Sequence, residues 1–123
     1  MHQFLYLLNA QLYSMTTKQK LMLFLISCEP GFRDIYKMVK LYDRAEFPSN
    51  VSENLQVLLD NGYIVVTENF DNGTPNKYGI TGKGQEYLDR NFDAAEIVYY
   101  IKTMDNPRQL LFITQAYIDK QTM

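Results

Sequence analysis

Arg33, Lys37, Lys40 and Arg44 stand at i, i+4, i+7 and i+11, which on a helix brings them within about 60° of one another. Aligned like charges repel and add nothing to folding. A row of this kind is therefore either a solvated face or a surface that neutralises phosphates. Ser49, Asn50, Glu53, Gln56 and Val57 follow a few residues later. Asn and Gln can pair with adenine through two hydrogen bonds, Glu can accept from cytosine, and Val can meet a thymine methyl. No Lys or Arg lies between Ser49 and Lys77, and Glu53 and Asp60 repel phosphates. A polar exposed helix without a reading role is thus the competing account of this second group.

Other chemistry finds little support. His2, at a terminus, is the only histidine and Cys28, far from it, the only cysteine; a zinc site of ordinary ligand count cannot be built from them, and a Cys-His or Ser-His nucleophile pair is equally unsupported. Cys28 ends an apolar run, which suits a buried, inert thiol and a reducing compartment. Gly79, Gly82 and Gly84 match no phosphate-loop spacing and fit a strand-to-helix turn better. The expectation is a protein without metal or cofactor that is not an enzyme. A formal net charge of -2 gives no general attraction to nucleic acid, so any such affinity has to be local. No stretch reaches the ~20 apolar residues of a membrane span. The apolar start lacks the marks of a signal peptide, and a cytoplasmic protein with no membrane partner is expected.

The elements that position these residues can be read in turn. A length of 123 residues suits one domain, 1–123. Phe4, Leu5, Leu8 and Leu12 predict an apolar helix over 3–14. Thr16 or Thr17 caps a helix from Lys18 to Cys28, in which the unbroken run Leu21 to Ile26 marks the central helix. Pro30-Gly31 breaks the chain, and a helix from Arg33 to Ala45 turns Ile35, Met38, Val39 and Tyr42 inward. After a short turn at Glu46-Phe47-Pro48, Asn50 and Glu53 form a capping box, and Val51, Leu55, Leu58 and Leu59 share the core face of the next helix. Asn61-Gly62 ends it through a left-handed turn. Tyr63 to Thr67 and Lys77 to Thr81 read as strands around a loop at Asp71 to Asn76. A helix with Tyr87 and Leu88 follows. Asp93 and Glu96 form a second capping box, and Asn106 caps a last helix with Pro107 at its first position.

This order predicts a mostly α, α+β fold: a winged helix-turn-helix with a two-stranded wing, its core at 17–91. In a helix-turn-helix the first helix crosses the nucleic-acid backbone and the second enters the major groove. The basic row lies on the helix that would cross. The segments VSENLQVLLDNGYI (Val51 to Ile64) and YGITGKGQEYL (Tyr78 to Leu88) resemble the recognition helix and wing exit of winged-helix transcriptional regulators of the MarR type, with the PadR type second. The rest of the chain is similar only in the order and length of its elements. The resemblance implies a homodimer interlocked through flanking N- and C-terminal helices, here 3–14 and 93–120, and a small ligand near the junction of dimer and DNA-binding parts. Tyr99, Tyr100 and Tyr117 are the aromatic residues expected to line such a crevice for a small aromatic effector; plain interface packing is the alternative for them. MarR-type wings usually carry an Asp-x-Arg pattern, whereas Glu68 to Asn76 holds no basic residue, leaving Lys77 alone.

Two functions therefore stand side by side. One is a sequence-specific regulator that binds double-stranded DNA as a homodimer through Arg33, Lys37, Lys40, Arg44, Ser49, Asn50, Glu53, Gln56, Val57 and Lys77. The other is a winged-helix module used for protein–protein interaction without DNA.

Overall fold

Thr16 and Gln19 open the first helix as a reciprocal capping box. The Thr16 hydroxyl accepts from the Gln19 amide, and the Gln19 side-chain carbonyl accepts from the Thr16 amide, both at 3.1 Å. These bonds satisfy amides that a helix start leaves without partners. The computed structural model describes residues 14–28, 34–45 and 51–121, and this helix, α1, spans Thr17–Cys28. All six residues of the run Leu21 to Ile26 are buried. Helix α1 is central, as the run implies: it packs against α3 (Val51–Asp60), α4 (Gly82–Asn91), α5 (Ala94–Lys102) and strand β2 (Pro75–Ile80). The Gln19 side-chain amide also donates to Asn54 Oδ1 at 3.1 Å, tying α1 to α3.

Helix α2 runs over Ile35–Arg44. It begins two residues later than the sequence pattern suggests, because Asp34 is its cap and accepts from the amides of Tyr36 and Lys37 at 2.9 and 3.3 Å. Met38, Leu41 and Tyr42 face the core, and the opposite side is exposed. Helix α3 closes as expected. Gly62 has φ +78, Tyr63 donates its amide to the Leu58 carbonyl and Gly62 to that of Leu59. This is the double-bonded glycine cap that absorbs the last carbonyls of a helix.

Strand β1, Ile64–Asn69, pairs antiparallel with β2. Both strands reach closer to the tip than Tyr63 to Thr67 and Lys77 to Thr81 would give. Two register irregularities carry the pairing through Glu68 and Asn69, while Glu68 accepts from the Asn76 side chain at 2.8 Å. The tip turns at Gly73, φ +87, with Asn72 Oδ1 accepting from the amide and hydroxyl of Thr74. On its other edge β2 is bridged by Asp34, opposite Lys77. The exit is stitched to the end of α3. Thr81 donates its amide to the Tyr63 carbonyl at 3.1 Å and its hydroxyl to that of Gly62 at 2.7 Å. Lys83 Nζ donates to the Asn61 carbonyl at 2.7 Å and lies 4.8 Å over the Tyr63 ring. Gly84 sits so near the Tyr63 carbonyl that a Cβ there would overlap it.

Helices α5 and α6 (Arg108–Gln121) pack on one another, and α6 also meets α2. Two caps differ from their sequence reading. Asp93 accepts from the amides of Ala95 and Glu96 as expected, but the Glu96 carboxylate does not return to close a box. It takes the Thr17 hydroxyl at 2.9 Å and the Lys20 ammonium at 3.2 Å, clamping α5 to α1. Asn106 does not cap α6; its side chain donates to the Arg44 carbonyl at 2.9 Å. Among the described residues the fold is mostly helical with one two-stranded antiparallel sheet, an α+β arrangement. No helix among them is long and apolar enough to cross a membrane. The helix expected at 3–14 lies, apart from Ser14, outside the described residues.

Candidate nucleic-acid interface

Because Met38, Leu41 and Tyr42 are drawn into the core, the 3.6-residue period puts Lys37, Lys40 and Arg44 on the outer side of α2, where all three are exposed. Arg44 reaches back to Gln109 Oε1 of α6 at 3.3 Å, which steadies the guanidinium without neutralising it. Asp34 interacts with backbone amides at the helix start, and exposed Asp43 adjoins Arg44. The fourth cation of the row, Arg33, lies outside the described residues.

Helix α3 buries Leu55 and Leu58 and exposes Ser52, Glu53, Gln56 and Asp60. Val57, assigned to the same outer face by its spacing, is half-buried. The Gln56 side-chain amide donates to Asp60 Oδ1 at 2.8 Å, which commits one of its two N–H groups. Ser49 and Asn50 lie outside the described residues. On the hairpin, Lys77 is ion-paired with Glu68 at 3.4 Å, both side chains about half exposed. Exposed pairs of this kind are weak, and Lys77 can exchange Glu68 for a phosphate at small cost.

A cavity of about 410 Å³ opens between α2, α3 and the hairpin. Ile35, Tyr36 and Val39 of α2 form one wall, and Ser52 and Gln56 of α3 another. Phe70, Thr74, Pro75 and Tyr78 of the hairpin complete it. Tyr36, 65% exposed, meets Phe70 edge to face with ring centroids 5.5 Å apart. Burial raises the pKa of the Tyr78 phenol. Sequence reading missed Tyr36, Phe70 and Tyr78, because their meeting depends on three elements far apart in the chain.

The tyrosines expected to share a crevice are placed differently from one another. Tyr99 points outward from α5, 73% exposed. Tyr100 is half-buried against the core, and that burial raises its phenol pKa. Tyr117 lies on α6 with Lys120 Nζ 5.8 Å over its ring. It lines a groove of about 380 Å³ with Phe112, Ile113, Ala116 and Lys120, to which neither Tyr99 nor Tyr100 contributes. A second groove, of about 610 Å³, flanks the other side of Phe112 and is lined by Leu111 and Gln115 among others. Phe112 itself is 74% exposed. Helix α6 is thus apolar on two sides: Leu110 and Ile118 turn inward, and Phe112 and Ala116 outward.

Among the described residues no group of three His, Cys, Asp or Glu is placed to hold a metal ion. Cys28 is half-buried, with the Gln121 amide 3.9 Å from its sulfur. His2 lies outside the described residues. No protein family, curated protein or solved structure gives a significant match to this chain.

Proposed function

We propose that this chain is a sequence-specific DNA-binding transcriptional regulator that acts as a homodimer, built on a MarR-like winged helix-turn-helix. Three helices, a two-stranded hairpin and a fourth helix follow one another in the order of that fold, and an isolated bridge between Asp34 and Lys77 ties the start of α2 to the hairpin. The observation that carries the reading is the exposed row Lys37, Lys40 and Arg44 on α2, the helix that precedes the candidate reading helix α3. In this reading α2 lies across the phosphate backbone while Gln56, Ser52 and Glu53 of α3 face base edges in the major groove. Lys77 adds a hairpin contact once it leaves Glu68.

The outer face of α6 supports the dimer. Large apolar side chains in a contiguous patch mark interaction surfaces, and Phe112 with its two flanking grooves is such a patch. A two-fold arrangement then presents two α2–α3 units to half-sites about one DNA turn, ~34 Å, apart. A second reading has its own observation. Glu53 and Asp60 lie exposed on α3, Gln56 is bonded to Asp60, and Lys77 is paired with Glu68. These favour a protein-interaction module. Fluorescence anisotropy with a pool of random labelled duplexes at ~50 mM salt separates the two, because non-specific binding is electrostatic and strongest there. Saturable binding supports the regulator. No measurable binding to any duplex replaces it with the interaction module.

A further inference from the structure

We infer that the hairpin tip carries a site of spontaneous modification, at which Asn72 loses its side-chain ammonia and becomes an aspartate or an isoaspartate. Two Asn-Gly steps occur in the chain, Asn61-Gly62 and Asn72-Gly73. A glycine in the second position has no Cβ to hinder its own backbone nitrogen from reaching the asparagine side chain. The fold treats the two steps differently.

Asn72 and Gly73 are both exposed, and the space around Gly73 is open. The Asn72 side-chain carbonyl accepts from the Thr74 amide at 3.0 Å and from the Thr74 hydroxyl at 2.7 Å. Both donors aim at the oxygen that gains negative charge when a nucleophile adds to Cγ, as the donors of an oxyanion hole do. The Gly73 amide donates to the Phe70 carbonyl at 2.9 Å, and this turn bond has to open before the nitrogen attacks. At the other step the same residue types close α3 and anchor the hairpin. The Asn61 side-chain amide donates to the Val57 carbonyl at 2.8 Å, and the Gly62 amide to that of Leu59 at 3.0 Å. The Asn61 carbonyl accepts from Lys83 Nζ and the Gly62 carbonyl from the Thr81 hydroxyl, each at 2.7 Å. Attack there waits for several bonds to open together, whereas an exposed loop tip opens by itself and often.

The reaction needs only water and hydroxide. Hydroxide removes the Gly73 amide proton, and the nitrogen bonds to Asn72 Cγ. The Cγ–Nδ2 bond then breaks, and the departing nitrogen takes a proton from water to leave as ammonia. A second water opens the resulting five-membered imide at either carbonyl. One opening restores the ordinary main chain with an aspartate side chain; the other routes the main chain through the side chain as isoaspartate. Nothing is oxidised or reduced. Either product adds a carboxylate beside Asp71, and with it one negative charge to a chain whose formal net charge is -2. The site does not depend on whether the chain binds DNA.

The test incubates the full folded chain in mildly alkaline buffer and follows it by peptide mass spectrometry, in which each event is a one-dalton gain. Asn72 should modify at least about ten-fold faster than Asn61, whose attack requires additional bonds to open. In denaturing urea the two rates should agree within about two-fold, because the folded restraints are gone. Asn72→Gln should abolish the fast event, since its ring would need a sixth member. Thr74→Val removes one of the two donors to the carbonyl and should slow the event several-fold; acceleration would overturn the role given to Thr74. Equal rates at Asn61 and Asn72 in the folded chain would overturn the site. So would a folded Asn72 that stays intact while the unfolded chain is modified.

Discussion

Replacing Lys37 and Lys40 together by alanine should flatten the salt dependence of duplex binding. Both lysines are exposed on the outer side of α2, so the substitution should change stability by less than about 0.5 kcal/mol. Each phosphate neutralised contributes about 0.9 to the slope of log K against log salt. With Lys37, Lys40 and Arg44 all engaged in both protomers of a dimer, the α2 row contributes about −5.4 to the wild-type slope, and with only Arg44 left of it about −1.8 to the variant's, a Lys77 contact adding equally to both. Between about 50 and 200 mM salt the row's share of the loss in affinity is then about 1,800-fold for the wild type and about 12-fold for the variant. Fluorescence anisotropy across that range reads both slopes, with the duplex sequence held constant. A slope change of about half this size would mean that only one protomer meets the duplex. Unchanged slopes would remove the α2 row from the mechanism.

Three further outcomes follow from the packing. Gly84→Ala puts a methyl group into the Tyr63 carbonyl and should cost about 1–3 kcal/mol, seen as a lower midpoint in urea; an unchanged midpoint would mean that α4 can withdraw from the hairpin freely. Phe112→Asp replaces the centre of the outer α6 patch and should give a monomer in sedimentation velocity with helical content intact, whereas a variant sedimenting like the wild type would exclude this face from the dimer. The third outcome concerns alkaline pH. Burial raises the phenol pKa of Tyr42 above its ordinary 10.0, with Tyr100 a smaller cause, and burial likewise raises those of Tyr78 and Tyr100. A raised pKa means that the unfolded chain releases these protons first. Stability contributed by these groups is therefore complete below about pH 10 and falls above it, most of all through the fully buried Tyr42. Tyr42→Phe should make that fall shallower, and an identical pH profile would show that Tyr42 does not drive it.

Local chemistry was legible in the sequence; pairings between distant elements were not. The run Leu21 to Ile26 announces a helix enclosed on all sides, and all six are buried. Asn61-Gly62 announces a left-handed helix end because few other residues tolerate that backbone, and Gly62 adopts it. The exposure of Lys37, Lys40 and Arg44 follows from the inward spacing of Ile35, Met38, Val39 and Tyr42, although Ile35 and Val39 are only half-buried and Leu41 is buried in the core as well. Glu96 and Asn106 escaped for one physical reason. Each sits where a local cap is favourable, yet each is taken by a partner far along the chain, Lys20 with Thr17 in one case and Arg44 in the other. The strand limits moved because Glu68, Asn69 and Pro75, poor strand formers alone, are held by the opposite strand. The aromatic cavity escaped altogether, since nothing near Tyr36 in the sequence indicates that Phe70 will meet its ring.

The bonds that join Asn61, Gly62 and Tyr63 to Thr81 and Lys83 make the hairpin a graft. Beyond that junction the hairpin is held to α2 as well, where Asp34 bridges Lys77 and the Tyr36 ring meets Phe70. Lengthening the tip at Asp71 to Gly73 stretches a loop whose ends are already held, and each doubling of a flexible loop costs only about 0.6 kcal/mol. The helices below feel little of that change. The exposed positions Asp71 to Gly73 can thus change in charge while Phe70 keeps its contact with Tyr36.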